Sequence, residues 1–267
     1  MAQGAYVLAF DTANEVVAVG IGRVGALGET GRAAVKRPCL QSDIVAVREV
    51  AAHRASNTVL LREVDAALAE SSVSKDEIAA VVCGRGPGSF TGVRICMATA
   101  KGMASALEVP LLGVSTLDAV AWNAWADGVR GRVLVAADAM RKEVYPVLFD
   151  IDDKGVVRLT ADTVVKAADA PAWVAEALRT LGEGDVQVVD AILGDALVKY
   201  AGVFEPLASL ADESLWAVSG RGLLLADRMG GHFASRVHAP LRCRGERANS
   251  PGERRWQQES SDGGPAV

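Results

Sequence analysis

The stretch Gly84 to Ala104, GRGPGSFTGVRICMATAKGMA, comes nearest in residue type and spacing to a binding site. It follows the apolar run Ile78 to Cys83 and leads into a helix-like segment of small residues. Glycines at a strand-to-helix turn let backbone N–H groups face an anion at the positive end of the helix, which is phosphate chemistry. The parts that would complete such a site are missing. No Lys-Ser or Lys-Thr follows the glycines, and Gly84, Gly86 and Gly88 alternate with Arg85 and Pro87, so neither the P-loop nor the dinucleotide fingerprint is present. Ser89 sits in G-P-G-S-F and lacks the G-x-S-x-G elbow of a nucleophilic serine. The histidines, His53, His232 and His238, are not spaced to put two imidazoles on one helix face, and Cys39, Cys83, Cys96 and Cys243 form no C-x-x-C pair. We therefore expect no metal, no catalytic triad and no cofactor. Arg85 and Arg94 flank the turn, either as solvated side chains or as forks for a carboxylate or phosphate on a partner.

Asp11 and Asp138 each follow a buried strand at the mouth of a turn. In actin-like ATPases, acidic residues at such places hold metal-bound water and phosphate beside a following glycine. Here Asp11 is followed by Thr12-Ala13 and Asp138 by Ala139-Met140, so neither turn lets a backbone approach phosphate closely. Both are expected to be vestigial nucleotide-site loops whose carboxylates cap their own turn amides.

The elements that position these residues follow from pattern. Val7–Phe10 and Val16–Ile21 read as strands around the turn Asp11–Asn14, with a weak third strand around Gly28–Val35. From Ser56 the period changes, and Val59, Leu60, Val64, Ala67 and Leu68 recur at helical steps, with Ser56 or Asn57 as N-cap. Ile78–Cys83 is a short buried strand, about Thr91–Leu107 a helix, Val109–Val114 a strand, and Ser115 caps a further helix. After Asp127-Gly128 a second unit repeats the plan: strands at Arg132–Ala137, Glu143–Phe149 and Val156–Leu159, a helix at Pro171–Leu181 and a strand-like run from Val186 to Leu193. The recurrence of a strand, an acidic turn and a returning strand at Asp11 and Asp138 is a weak internal repeat.

Of the chain's 267 residues, half are hydrophobic and 5% aromatic, an Ala/Val/Leu core suited to helices packed on sheets. The net charge of −5 argues against direct binding of a large nucleic acid. The cysteine usage and the absence of a signal-like N-terminus or a long apolar run predict a cytoplasmic protein without a membrane segment. The helix from Thr91 is apolar nearly all round, so it must be covered on more than one side. Together with the helix from Ser56 it amounts to half of a four-helix bundle. The residues expected to bind a partner there are Val59, Leu60, Ala67, Gly92, Cys96, Met97, Ala100 and Met103.

The run VCGRGPGSFTGVRICMATAKGMASALEVPLLGVSTL from Val82 to Leu117 closely resembles the TsaB family, and LAFDTANEVVAVGI and VAADAMRKEVYPVLFD are similar to the same family. The resemblance covers roughly residues 6 to 225. It implies an α/β actin-like (ASKHA, ribonuclease H-like) fold of two related subdomains, 1–118 with the partner-binding helices and 119–241 with a terminal helix; the composition after about Arg242, with almost no apolar residues, predicts a disordered tail over 242–267. It further implies a non-catalytic subunit that pairs with a TsaD-like catalytic subunit and works with a TsaE-like ATPase. Such a subunit would meet tRNA only through the complex, and could form a homodimer when alone. The chain departs from the family in reading Ala55-Ser56-Asn57 at the usual His-Ser-Glu step, in carrying Arg62 where proline often follows the paired leucines, and in keeping only Pro240-Leu241-Arg242 near its end. On the residues alone, a small-molecule kinase or peptidase of the same fold and a homodimeric structural protein stay open.

Overall fold

A computed structural model describes residues 5–24, 43–52, 55–182, 189–229 and 235–236. The opening strands β1 (Tyr6–Asp11) and β2 (Val16–Arg23) form a hairpin, and β3 (Ile44–Ala51) adds antiparallel to β2. Helix α1 (Ser56–Ser71) crosses to β4 (Ile78–Gly84), which lies parallel to β1. Helix α2 (Phe90–Ala106) then crosses to β5 (Leu111–Val114), parallel to β4, and β11 (Ser235–Arg236) pairs with β5 at the far edge. The sheet order is β11-β5-β4-β1-β2-β3.

After α3 (Thr116–Ala126) the plan recurs. Strands β6 (Gly131–Met140), β7 (Glu143–Asp152) and β8 (Gly155–Arg158) are antiparallel neighbours, β9 (Val165–Lys166) pairs with β7, and α4 (Ala170–Thr180) leads to β10 (Ala191–Leu193), parallel to β6. Helices α5 (Leu197–Phe204) and α6 (Gly220–Met229) follow. In both halves three antiparallel strands are followed by a helix and a strand parallel to the first, so the weak repeat in the sequence is a repeat of topology.

Strand alternation sorts the side chains into layers. Leu8 and Phe10 of β1 face α1 and α2, packing with Leu60, Val64, Cys96 and Ala100. Val7 and Ala9 face the other way, onto a core built from α3, α6 and the near face of the second sheet, including Val135 and Phe149. Leu134, Ala136 and Leu148 face α4 and α5 on the far side. The layers run α1/α2, first sheet, α3/α6, second sheet, α4/α5.

Several expectations change here. The third strand expected at Gly28–Val35 lies outside the described residues, and the strand beside β2 is β3, whose apolar residues are split between its two faces. Neither Ser56 nor Asn57 caps α1. Ala55 holds the N-cap position without a side-chain bond, and Ser56 is a buried first-turn residue. The boundary expected at 118 falls inside α3, and α6, expected with the second unit, packs against β2, β1 and α3 of the first. Arg221 fastens it there, with Nε 2.8 Å from Asn123 Oδ1 and a 2.8 Å ion pair to Asp127. The expected tail, 242–267, and all three histidines lie outside the described residues.

Candidate functional site: an occupied cleft and an outward helix pair

Asp11 ends β1 fully buried. Its Oδ1 accepts the amide of Ala13 at 2.6 Å and its Oδ2 accepts the hydroxyl of Thr116 at 2.6 Å. Burial raises its pKa above the ordinary carboxylate value, against the opposing pull of those hydrogen bonds. The carboxylate lies over Gly84, where a Cβ would stand 1.8 Å from Oδ2. The first glycine of the Gly84–Gly88 turn thus makes room for an internal carboxylate, a different use from cradling a phosphate.

Asp138, near the end of β6, is equally engaged. Its Oδ1 accepts the amide of Met140 at 3.0 Å, and its other oxygen pairs with the ammonium of Lys199 on α5. Its own amide donates to Asp195 Oδ1 at 2.9 Å. Asp195 is largely buried, and desolvation pushes its pKa up to about 6. Between the halves lies a cleft lined by Asn14, Pro87, Thr116, Ala137, Gly194, Asp195 and Trp216. Thr116, the partner of Asp11, and Asp195, the partner of Asp138, both line it, so the two acidic turns converge on one place. Its free space is about 10 Å³, room for roughly one water. As expected, both aspartates cap turn amides. Their partners Thr116, Asp195 and Lys199 are residues that the sequence pattern does not single out.

The rest of the turn is structural. Ser89 caps α2, accepting the amide of Gly92 at 3.3 Å, and its own amide donates to Ala13 O at 2.6 Å. Gly92 sets α2 directly on the β1–β2 turn. A Cβ there would stand 1.9 Å from Thr12 O, and Thr12 Oγ1 donates to Gly92 O at 2.7 Å. Of the flanking arginines, Arg94 is exposed and stacks 3.7 Å from the centroid of the Phe90 ring. Arg85 is half-buried and leans inward beside Gly113, in the field of Asp118, rather than standing in solvent.

The structure redraws the expected partner-binding set. Leu60, Ala67, Gly92, Cys96 and Ala100 are buried against their own sheet. Helical spacing identified their shared face correctly, but that face is the one covered by β1, β2 and β4. Val59, Met97 and Met103 are half-buried at the edges of the same stripe. The outward face carries residues the periodicity did not single out: Leu61 on α1, half exposed at 50%, Phe90 on α2 at 67%, and the small residues Ala98 and Gly102 beside Lys101. Among the described residues, no group of three or more His, Cys, Asp and Glu side chains is placed to hold a metal, and no helix is long and apolar enough to cross a membrane.

Repeated subdomains with a cleft between them and acidic turns converging on it define a protein of the actin-like class. The TsaD family model, described as tRNA N6-adenosine threonylcarbamoyltransferase, matches residues 47–182, just over half of the chain. The Escherichia coli tRNA threonylcarbamoyladenosine biosynthesis protein TsaB is 46% identical over 89 residues, 33% of this chain and 38% of that protein. YeaZ from Pseudomonas aeruginosa has the same fold, with a TM-score of 0.60 at 23% identity over 85% of this chain and 91% of its own. A second solved structure, described as an uncharacterized protein with similarity to peptidase YeaZ from Pseudomonas aeruginosa, gives a TM-score of 0.63 at 26% identity, covering 87% and 95%. The chain belongs to this family, and within it to the TsaB proteins. The matched stretch spans well under two thirds of the E. coli relative's length.

Proposed function

We propose that the chain is a non-catalytic subunit in tRNA threonylcarbamoyladenosine biosynthesis. In this reading it docks onto a TsaD-like subunit, which transfers a threonylcarbamoyl group to the tRNA adenosine next to the anticodon. The observation that carries this reading is the contrast between the cleft and the helix pair. Each acidic turn of the cleft is spent on internal partners, Thr116 and Ala13 for Asp11, Lys199 and Met140 for Asp138. Large apolar side chains instead stand exposed on α1 and α2 at Leu61 and Phe90. An enzyme of this architecture needs its carboxylates free to face metal and phosphate, whereas a docking subunit needs exposed anchors on a rigid helix pair. In this reading Val59, Met97 and Met103 form the flanks of the docking face, Asp11 and Asp138 are what remains of a nucleotide site, and a TsaE-like ATPase and tRNA are met only within the assembly.

The test is co-purification with the TsaD-type subunit of the same source, comparing the unchanged chain with Leu61→Glu and Phe90→Glu. Both positions are exposed in the monomer, so circular dichroism should show an unchanged fold. Burying an unpaired carboxylate costs several kcal/mol, enough to abolish a micromolar complex held by about 8 kcal/mol. Folded variants that still co-purify normally would refute the assignment of this face. Sedimentation of the isolated chain shows whether the same face pairs two copies when no partner is present.

A further inference from the structure

The turn between β6 and β7 breaks a local rule three times in succession. Asp138 pairs with Val144 and Met140 with Glu143, so Ala139 is the extra residue of a bulge and Arg141-Lys142 form a two-residue hairpin loop. Met140, Arg141 and Lys142 all have left-handed backbone, with φ of 64°, 52° and 65°. Positive φ at both loop residues makes a type I′ turn, whose favoured sequences are Asn-Gly and Asp-Gly. Here a Cβ and a long side chain stand at all three positions, although each meets a steric penalty in that conformation.

Nothing inside the fold calls for these side chains. The three residues contribute only backbone atoms to the bonds that hold the turn: Met140 N donates to Asp138 Oδ1 at 3.0 Å, and Lys142 O accepts the amide of Ala167 at 2.8 Å. Glycine could make both. Met140 is 56% exposed. Arg141 and Lys142 are exposed too, and their side chains have no hydrogen-bond or ion-pair partner among the described residues. Neighbouring charges are already matched, Lys199 with Asp138 and Lys166 with Glu143, its register partner across β7 and β9. Two adjacent positive charges are left at the tip. Unfavourable backbone under side chains with no internal use marks a site that acts on something outside the chain.

We propose, resting on the docking reading above, that Arg141 and Lys142 contact the phosphate backbone of tRNA within the assembly. Arginine offers a planar fork to phosphate oxygens and lysine a point charge. A two-residue loop has little slack, so both charges are in place before the RNA arrives. The position fits. The acidic turns after β1 and in β6 converge at one end of the cleft, and α2 with Phe90 starts at that end, where Ser89 N donates to Ala13 O at 2.6 Å. A subunit docked at Phe90 and an RNA at the tip of the turn therefore meet the chain from the same end. The net charge of −5 keeps the chain alone from holding a polyanion. Phosphate contacts fix register without reading bases, so the turn positions the tRNA and does not select it.

The test reconstitutes three chains with the TsaD-type subunit and measures binding of a tRNA transcript at several salt concentrations. They are the unchanged chain, Arg141→Asn with Lys142→Gly, and Arg141→Gln with Lys142→Gln. Both variants should bind more weakly, with a log–log salt slope shallower by about 1–2, so their deficit shrinks roughly 4–16-fold between about 50 and 200 mM salt. Thermal melts of the isolated chains separate them. Asn-Gly relieves the left-handed backbone and should melt about 2–6 °C higher, whereas the double glutamine should not. Both should still co-purify with the TsaD-type subunit. Unchanged tRNA affinity and slope in the variants would overturn the proposal and leave the docking reading standing. An unchanged chain whose assembly binds no tRNA would sink that reading and the proposal with it. Loss of co-purification would make the turn a protein contact, and a lower melting temperature for Asn-Gly would show an internal use for the side chains; either result overturns the proposal.

Discussion

Substituting alanine for Gly92 tests how closely α2 is tied to the first sheet. The added Cβ would stand 1.9 Å from Thr12 O, where ordinary contact begins at 3.4 Å, so helix and turn must separate by about 1.5 Å. Such overpacking costs about 1–3 kcal/mol. Separation also strips the buried Thr12 hydroxyl of its acceptor, Gly92 O, at a further cost of about 1–3 kcal/mol. Alanine returns only about 0.5–1 kcal/mol through helix propensity. The net loss of about 1–5 kcal/mol should lower the melting temperature by roughly 2–20 °C for a chain of this size. Gly102, on the same helix, is the control. A Cβ there meets nothing within 4 Å, so Gly102→Ala should raise the melting temperature by roughly 1–4 °C. Thermal melts of both variants by circular dichroism suffice. If the two shift in the same direction by similar amounts, α2 does not sit on Thr12 as described.

Other expectations can be checked alongside. Asp195 binds a proton in the folded state up to about pH 6, while its ordinary carboxylate value is 3.8, so its burial makes stability fall as pH rises through that window and level off above it. A gap of roughly two pH units is worth about 3 kcal/mol. Asp195→Asn should therefore match the unchanged chain in urea titrations near pH 4 and exceed it by up to that amount at pH 8, and a difference independent of pH would refute this. Asp11→Ala leaves the Ala13 amide and the Thr116 hydroxyl without their acceptor, and should cost about 2–5 kcal/mol in the same titrations. Isothermal titration with ATP and magnesium should show no micromolar binding to the isolated chain, because the cleft is filled by its own side chains; clear saturation would revive the kinase reading.

The elements that were legible in the sequence are those with one consistent period. Strands β1, β2, β4, β6 and β7 announce themselves as apolar runs because both their faces are covered, and α1, α2 and α4 as repeats at three and four residues because each buries one continuous face. Strand β3 escaped because Val47 is exposed while Ala46 is buried, so its pattern points both ways. Helix α5 escaped because it is short and kinked at Tyr200. The site divides in the same manner. Asp11 and Asp138 were visible because an acid at a strand end has few purposes, whereas their partners Thr116 and Lys199 lie 105 and 61 residues away in the chain. The partner-binding residues show the limit most clearly. Periodicity reveals which face of a helix is apolar, and for α1 and α2 that face was already taken by the sheet. The exposed anchors Leu61 and Phe90 stand alone on polar surroundings and leave no periodic trace.

Helix α6 completes the first sheet from the wrong end of the chain. Leu223, Leu224 and Leu225 are buried in the core shared with Val7 and Ala9 of β1, yet during synthesis they emerge about 100 residues after β5, several seconds later at roughly 5–20 residues per second. For that interval the inner face of the first sheet lacks part of its cover. A ribosome-bound nascent chain ending before Gly220 should accordingly be open to proteases and a substrate for chaperones, and one extended past Met229 should be protected. Cover for the first sheet thus waits on the last described helix, which ties the first half to the completion of the second.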